Sequence, residues 1–107
     1  MERVHEARTY FENDIKTVAQ VEIRGESDKV LDLGCSTLYM LMEGSGSYTV
    51  FNEDGSVRKT VELNRPGQTF FAFRGFPYMS KGFGVAGMKV VAVSYPPFDL
   101  TEVSVVE

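Results

Sequence analysis

Few side chains in this chain carry reactive chemistry, and their types narrow what it could do. Among 107 residues there is one cysteine, Cys35, and one histidine, His5, near the N-terminal end. Cys35 stands between Gly34 and Ser36 without a neighbour that would stabilise a thiolate, so it reads as a small buried or loop thiol rather than a nucleophile. Tyr39 and Tyr78 carry hydroxyls that need a partner if buried, because an unsatisfied buried hydroxyl costs roughly 1 to 3 kcal/mol. Arg74 keeps its charge at any working pH and, turned inward, would favour a carboxylate or phosphate. At a strand end such a side chain more often faces water. Glu43 and the acidic turn at 53–54 read as solvated charges. A tyrosine with a pKa near 10 is a poor base at neutral pH, so these groups suit hydrogen bonding better than proton transfer.

Length and charge bound the setting. A chain of 107 residues is read as one domain and one core, burying roughly two thirds of its unfolded surface without help from metals or disulfides. With 11 Lys and Arg against 15 Asp and Glu the net charge is −4. No basic cluster or aromatic-plus-Arg stripe accompanies it, which argues against a nucleic-acid groove and leaves solubility as the simpler reading. A single cysteine cannot close an internal disulfide, no apolar run is long enough to span a membrane, and Met1-Glu2-Arg3-Val4-His5 lacks a signal-peptide apolar core. The expected location is the cytoplasm, with no membrane partner.

The elements that must position these groups read as strands. Residues 38–42 are apolar at every position, and Gly44 and Gly46 cut the run short of a helix. One face is Thr37, Tyr39 and Leu41, the other Leu38, Met40 and Met42, so both faces should be covered, the outer one by a terminal segment or a second subunit. Residues 1–18 allow either a short helix or an extended arm. Strands follow at 19–24, 30–33 and 47–51, then a tight turn at Asn52-Glu53-Asp54-Gly55, because Asp-Gly tolerates positive φ. Residues 57–63 answer as an edge strand with one wet face, and Arg65-Pro66-Gly67-Gln68 has the residues of a type II turn. Residues 69–73 form a dense apolar strand, 73–82 a stretch bent at Gly75 and Pro77, and 88–95 a core strand stopped by Pro96-Pro97. Residues 100–106 can add an edge strand open to a second subunit. Short strands with a turn every 8 to 12 residues or so mean an antiparallel sandwich or barrel.

Glycine spacing adds a resemblance. Gly25 and Gly44 stand at the separation of the first cupin motif, and Gly67 and Gly75 match glycines of the second, so residues 20–98 resemble the cupin family. The resemblance implies a double-stranded β-helix, or jelly-roll barrel, at 19–98, with an arm at 1–18 and an edge strand at 99–107. In metal-bearing cupins three imidazoles and a carboxylate hold a divalent transition metal. Here Leu31, Leu33 and Thr37, or Val30 and Asp32 in the longer version of the motif, occupy the first set of places; Phe73, Tyr78 and Gly82 replace Pro, His and Asn in the second. No metal and no cofactor is expected.

In that register Thr37 and Tyr78 replace donors that point into the barrel, Tyr39 shares the face of Thr37, and Arg74 and Ser80 lie near enough to Tyr78 to reach a barrel mouth. The resulting ligand-binding set is Thr37, Tyr39, Arg74, Tyr78 and Ser80. Three functions fit. The first is non-catalytic binding of a small polar or carbohydrate-like molecule in the barrel. The second, by resemblance to the sugar-nucleotide cupins, is metal-free isomerisation or epimerisation with tyrosine as acid, although no histidine base falls in the barrel strands. The third is a structural or partner-binding subunit with a barrel filled by Phe70, Phe71, Phe73, Phe76 and Phe83. A homodimer formed through sheet faces and terminal strands is the expected assembly.

Overall fold

A computed structural model describes residues 5–13 and 16–106. Residues 1–4 and 14–15, part of the segment read as a helix or an arm, lie outside the described residues, as does residue 107. The chain is built almost wholly of antiparallel strands: β1 (His5–Glu12), β2 (Thr17–Ile23), β3 (Gly25–Glu26), β4 (Val30–Asp32), β5 (Ser36–Gly44), β6 (Gly46–Phe51), β7 (Val57–Leu63), β8 (Thr69–Ala72), β9 (Tyr78–Gly82), β10 (Met88–Tyr95) and β11 (Val103–Val105). One sheet runs β1-β2-β10-β5-β8 and the other β11-β4-β9-β6-β7, with β3 paired to β9. Two facing sheets joined by crossovers make a jelly-roll barrel. The segment read as 100–106 is instead a 3-10 turn at Leu100–Glu102, capped by the Asp99 carboxylate, followed by the short β11. No helix among the described residues is long and apolar enough to cross a membrane.

Period-two alternation decides which residues line the interior. In β10, Met88, Val90, Ala92 and Ser94 are buried, with half-buried residues between them. In β5, Thr37 and Leu41 are buried while Leu38, Met40 and Met42 are exposed. The expectation that both faces of this strand are covered is therefore corrected within the chain. The N-terminal hairpin β1–β2 extends the sheet sideways at its edge rather than folding across its outer face. Cross-strand register then lines up Phe11, Val18, Val93, Leu38 and Phe71 in one apolar row over five strands.

One end of the barrel is closed by glycines. A Cβ on Gly82 or Gly87 would collide with the Ile23 carbonyl oxygen, and one on Gly46 with the Lys81 carbonyl and the Met88 sulfur. Backbone packs directly on backbone there, so only hydrogen fits. The turns read in the sequence form with the expected glycines: Gly55 has φ 88° and Gly67 has φ 93°, with Gln68 N–H donating to the Arg65 carbonyl at 3.2 Å. At the other end the C-terminal segment crosses the opening. Phe98 N–H donates to Thr17 Oγ1 at 3.0 Å, and Leu33 N–H to the Glu102 carbonyl at 3.1 Å.

Candidate functional site

The interior is filled by a stack of rings. Tyr39 and Phe70 come from the neighbouring strands β5 and β8, Tyr48 and Tyr78 from β6 and β9 of the opposite sheet. Tyr48 packs against both rings of the facing sheet, 4.7 Å from Tyr39 and 4.6 Å from Phe70, centroid to centroid. Tyr78 tilts against all three at 6.2 to 6.5 Å. Offset stacking of this kind stabilises beyond the area it hides.

Three hydroxyls enter this apolar setting. Tyr39 and Tyr78 hydrogen-bond to each other at 2.7 Å. The hydroxyl of Tyr48, a residue 1 % exposed, has no hydrogen-bond partner among the described residues. Burial drives the phenol pKa of Tyr39 and Tyr48 well above the usual value, and the proximity of Tyr78 adds to both shifts. Burial pushes Tyr78 up to about 12, the bond from Tyr39 offsetting part of the effect and the Asp32 carboxylate reinforcing it. All three are neutral phenols at physiological pH.

A polar chain runs beside the rings. Asp32 Oδ1 accepts from the N–H groups of Gly34 at 2.8 Å and Cys35 at 3.0 Å, and its Oδ2 accepts from the Cys35 thiol at 3.2 Å. Cys35 Sγ lies 3.7 Å from Thr37 Oγ1, which shares a hydrogen bond of 2.9 Å with Ser94 Oγ. Burial raises the thiol pKa, so Cys35 is a buried, protonated thiol, in keeping with its reading from sequence.

This donor set does not fit the metal centre of metal-bearing cupins. Asp32 spends both oxygens on the 32–35 turn, the thiol and phenols are protonated, Leu33 faces solvent, and among the described residues no three His, Cys, Asp or Glu side chains converge. The side chain of His5 lies outside the described residues.

Of the five residues selected from sequence, Thr37, Tyr39 and Tyr78 meet in the interior. Ser80 is buried on β9 and bonded to Ser27, 3.1 Å from Oγ to Oγ. Arg74 sits in the exposed turn after β8, its N–H donating to Ser36 Oγ at 2.9 Å. Sequence reading missed Tyr48 and Ser94, whose period-two faces on 47–51 and 88–95 could have flagged them. It also missed the groove.

That groove, of about 400 Å³, opens where β7 and β8, the free edges of the two sheets, diverge. Its floor is Val50, Val61 and Phe70, the last also in the ring stack; its sides are Thr69, Phe71, Phe73 and Phe76 facing Arg58 and Lys59. The Arg58 guanidinium lies 5.0 Å over the Phe76 ring. Tyr78 pairs across the sheet with Val50, one strand behind the floor.

No protein-family model and no curated protein sequence matches the chain. Solved structures do. A Streptomyces PAC13 variant with uridine superposes with a TM-score of 0.77 at 13 % identity, over 100 % of this chain and 82 % of that one. A Klebsiella pneumoniae protein with a double-stranded β-helix domain gives 0.73 at 14 % identity, over 96 % of this chain and 84 % of that one. The coconut allergen cocosin gives 0.71 at 17 % identity, over 85 % of this chain and 24 % of that one. The chain has the cupin fold. At these identities the likeness concerns the arrangement of strands, and cupin barrels support many functions, so function has to be argued from the groove and the rings behind it.

Proposed function

We propose that this cupin binds a small polar molecule carrying a ring, without catalysing a reaction on it, in the lateral groove between β7 and β8. One observation carries the reading: a recess of about 400 Å³ has an apolar floor continuous with the buried ring stack, aromatic sides and polar groups at its edge. That volume and mixture suit a small organic ligand. The stacked interior leaves little room for a ligand in the barrel centre, which moves the site from the interior to the groove. Tyr39 and Tyr78 then support the floor from behind through Phe70, while Thr37, Arg74 and Ser80 stand apart from the groove lining.

The non-catalytic part of the proposal is supported by the protonation states. Three phenols held well above the usual value by burial, Tyr78 at about 12, are neutral donors that neither give up nor accept a proton readily at pH 7. That weakens the isomerase alternative. Pac13, a neighbour in fold described as a nucleoside dehydratase and seen with uridine, makes nucleosides reasonable probes for this groove.

A thermal-shift screen of nucleosides, sugars and small acids tests the proposal, repeated on Phe73→Ala and Phe76→Ala. Both residues are exposed, so the substitutions should leave the fold intact. A compound that stabilises the wild type and loses its effect in either variant supports the groove; stabilisation that both variants retain places the ligand elsewhere and ends the proposal.

A second copy of the chain is the proposed occupant of the outer sheet face. The row Phe11, Val18, Val93, Leu38 and Phe71, with Met40 and Val91 beside it, is a contiguous apolar surface of the kind that marks association. A cytoplasmic location remains the proposal made from composition.

A further inference from the structure

The two cations of the groove wall are neighbours in sequence. Strand period sends consecutive side chains to opposite faces of a sheet, but β7 is a free edge and both of its faces border the groove, as Thr69, Phe70 and Phe71 do from β8. The β6–β7 ladder also slips at this point. Val50 pairs with Lys59 and Phe51 with Val57, which leaves Arg58 as an extra residue without a cross-strand partner. The strand turns locally at such a bulge, and Arg58 and Lys59 both line the recess.

The charge so gathered is not consumed by the protein. Neither Arg58 nor Lys59 makes an ion pair among the described residues; the ion pairs there join Arg24 and Lys89 to Glu22 and Glu43. The lining includes no carboxylate, although acidic residues outnumber basic ones 15 to 11 in the chain. Arg58 is held over the Phe76 ring, which limits the rotamers its guanidinium can adopt. Opposite it, Phe71 and Phe73 meet edge to face, with centroids 4.6 Å apart, and present ring surface to the recess.

We infer that the groove is selective for an anion: its ligand is a small molecule with a flat ring and a carboxylate or phosphate, the ring against Phe70 and Phe73 and the anionic group between Arg58 and Lys59. This rests on the proposed ligand groove and adds the charge of what enters it. Charge-assisted bonds to a guanidinium and an ammonium are stronger than neutral ones and weaken with salt, which gives the inference a signature that ring binding alone lacks.

The test uses matched pairs that differ only in charge, benzoate with benzamide and phenyl phosphate with phenol, followed by ligand-observed NMR. In the wild type at low salt the anionic member of each pair should bind roughly tenfold or more tightly than its neutral partner. That preference should vanish in the double variant Arg58→Gln, Lys59→Gln, and shrink by about 0.5 M salt, while weak binding of the neutral rings persists. Circular dichroism of the double variant checks its fold, and both residues are exposed. Equal binding of charged and neutral members overturns anion selectivity and leaves the ring site standing. A preference that survives the double variant overturns the assignment to Arg58 and Lys59. Absence of binding by every member overturns both the inference and the groove it rests on.

Discussion

The hydroxyls of Tyr39 and Tyr78 lie 2.7 Å apart, joining β5 of one sheet to β9 of the other inside the barrel. Among the described residues each is the other's only hydroxyl partner, so removing one strands the second. Tyr39→Phe or Tyr78→Phe alone should cost about 1 to 3 kcal/mol, and the double variant less than the sum. Urea unfolding of the three variants measures this; strict additivity would show that the two groups do not depend on each other.

Tyr48 offers the opposite case. Its hydroxyl is buried with no partner among the described residues, so Tyr48→Phe removes a desolvated group without breaking a bond seen there. Stability should stay level or rise by about 1 kcal/mol. A loss of similar size in the same unfolding assay would mean that something outside the chain satisfies that oxygen in solution.

The raised phenol pKa values set the alkaline limit. Unfolded tyrosines lose their protons near pH 10, whereas Tyr78 holds its proton to about 12 and burial holds those of Tyr39 and Tyr48 well above the usual value. Above pH 10 the unfolded state therefore binds fewer protons than the folded one, and stability falls as pH rises toward 12. At about 1.4 kcal/mol per unit, Tyr78 alone accounts for a loss on the order of 2 kcal/mol. In an alkaline titration the tyrosinate absorbance of the three interior rings should appear together with the loss of circular dichroism; ionisation of every tyrosine before any loss of structure would contradict the buried hydroxyls.

The glycine-packed end should resist any side chain. Gly82→Ala puts a methyl onto the Ile23 carbonyl, which only backbone movement can relieve, and should cost about 1 to 3 kcal/mol or more. Gly55→Asn, in an open turn that also needs positive φ, should cost far less. Thermal midpoints of the two variants make the comparison, and similar losses would show that conformation, not crowding, governs both.

The outer-face row predicts self-association. Sedimentation velocity at micromolar concentration should show a dimer that Leu38→Glu converts to a folded monomer, since Leu38 is exposed at the middle of the sheet and its loss leaves the core untouched. A wild-type monomer under those conditions would remove the proposed second copy.

What the sequence determined by itself is everything set within a few residues. Asp54-Gly55 and Pro66-Gly67 placed turns because Gly alone accepts their backbone angles cheaply, and the apolar run at 88–95 marked a core strand that Pro96-Pro97 stops. The uninterrupted apolar run at 38–42 marked an important strand but suggested a cover for its outer face that the chain does not supply. Only the tertiary structure decided that Tyr39 meets Tyr78, that the Tyr48 hydroxyl finds no partner among the described residues, and that β7 and β8 part to open a groove. It also decided that Arg58 and Lys59 line that groove together. These depend on which strands become neighbours and in what register, a balance of packing across the whole barrel that no local spacing of residues encodes.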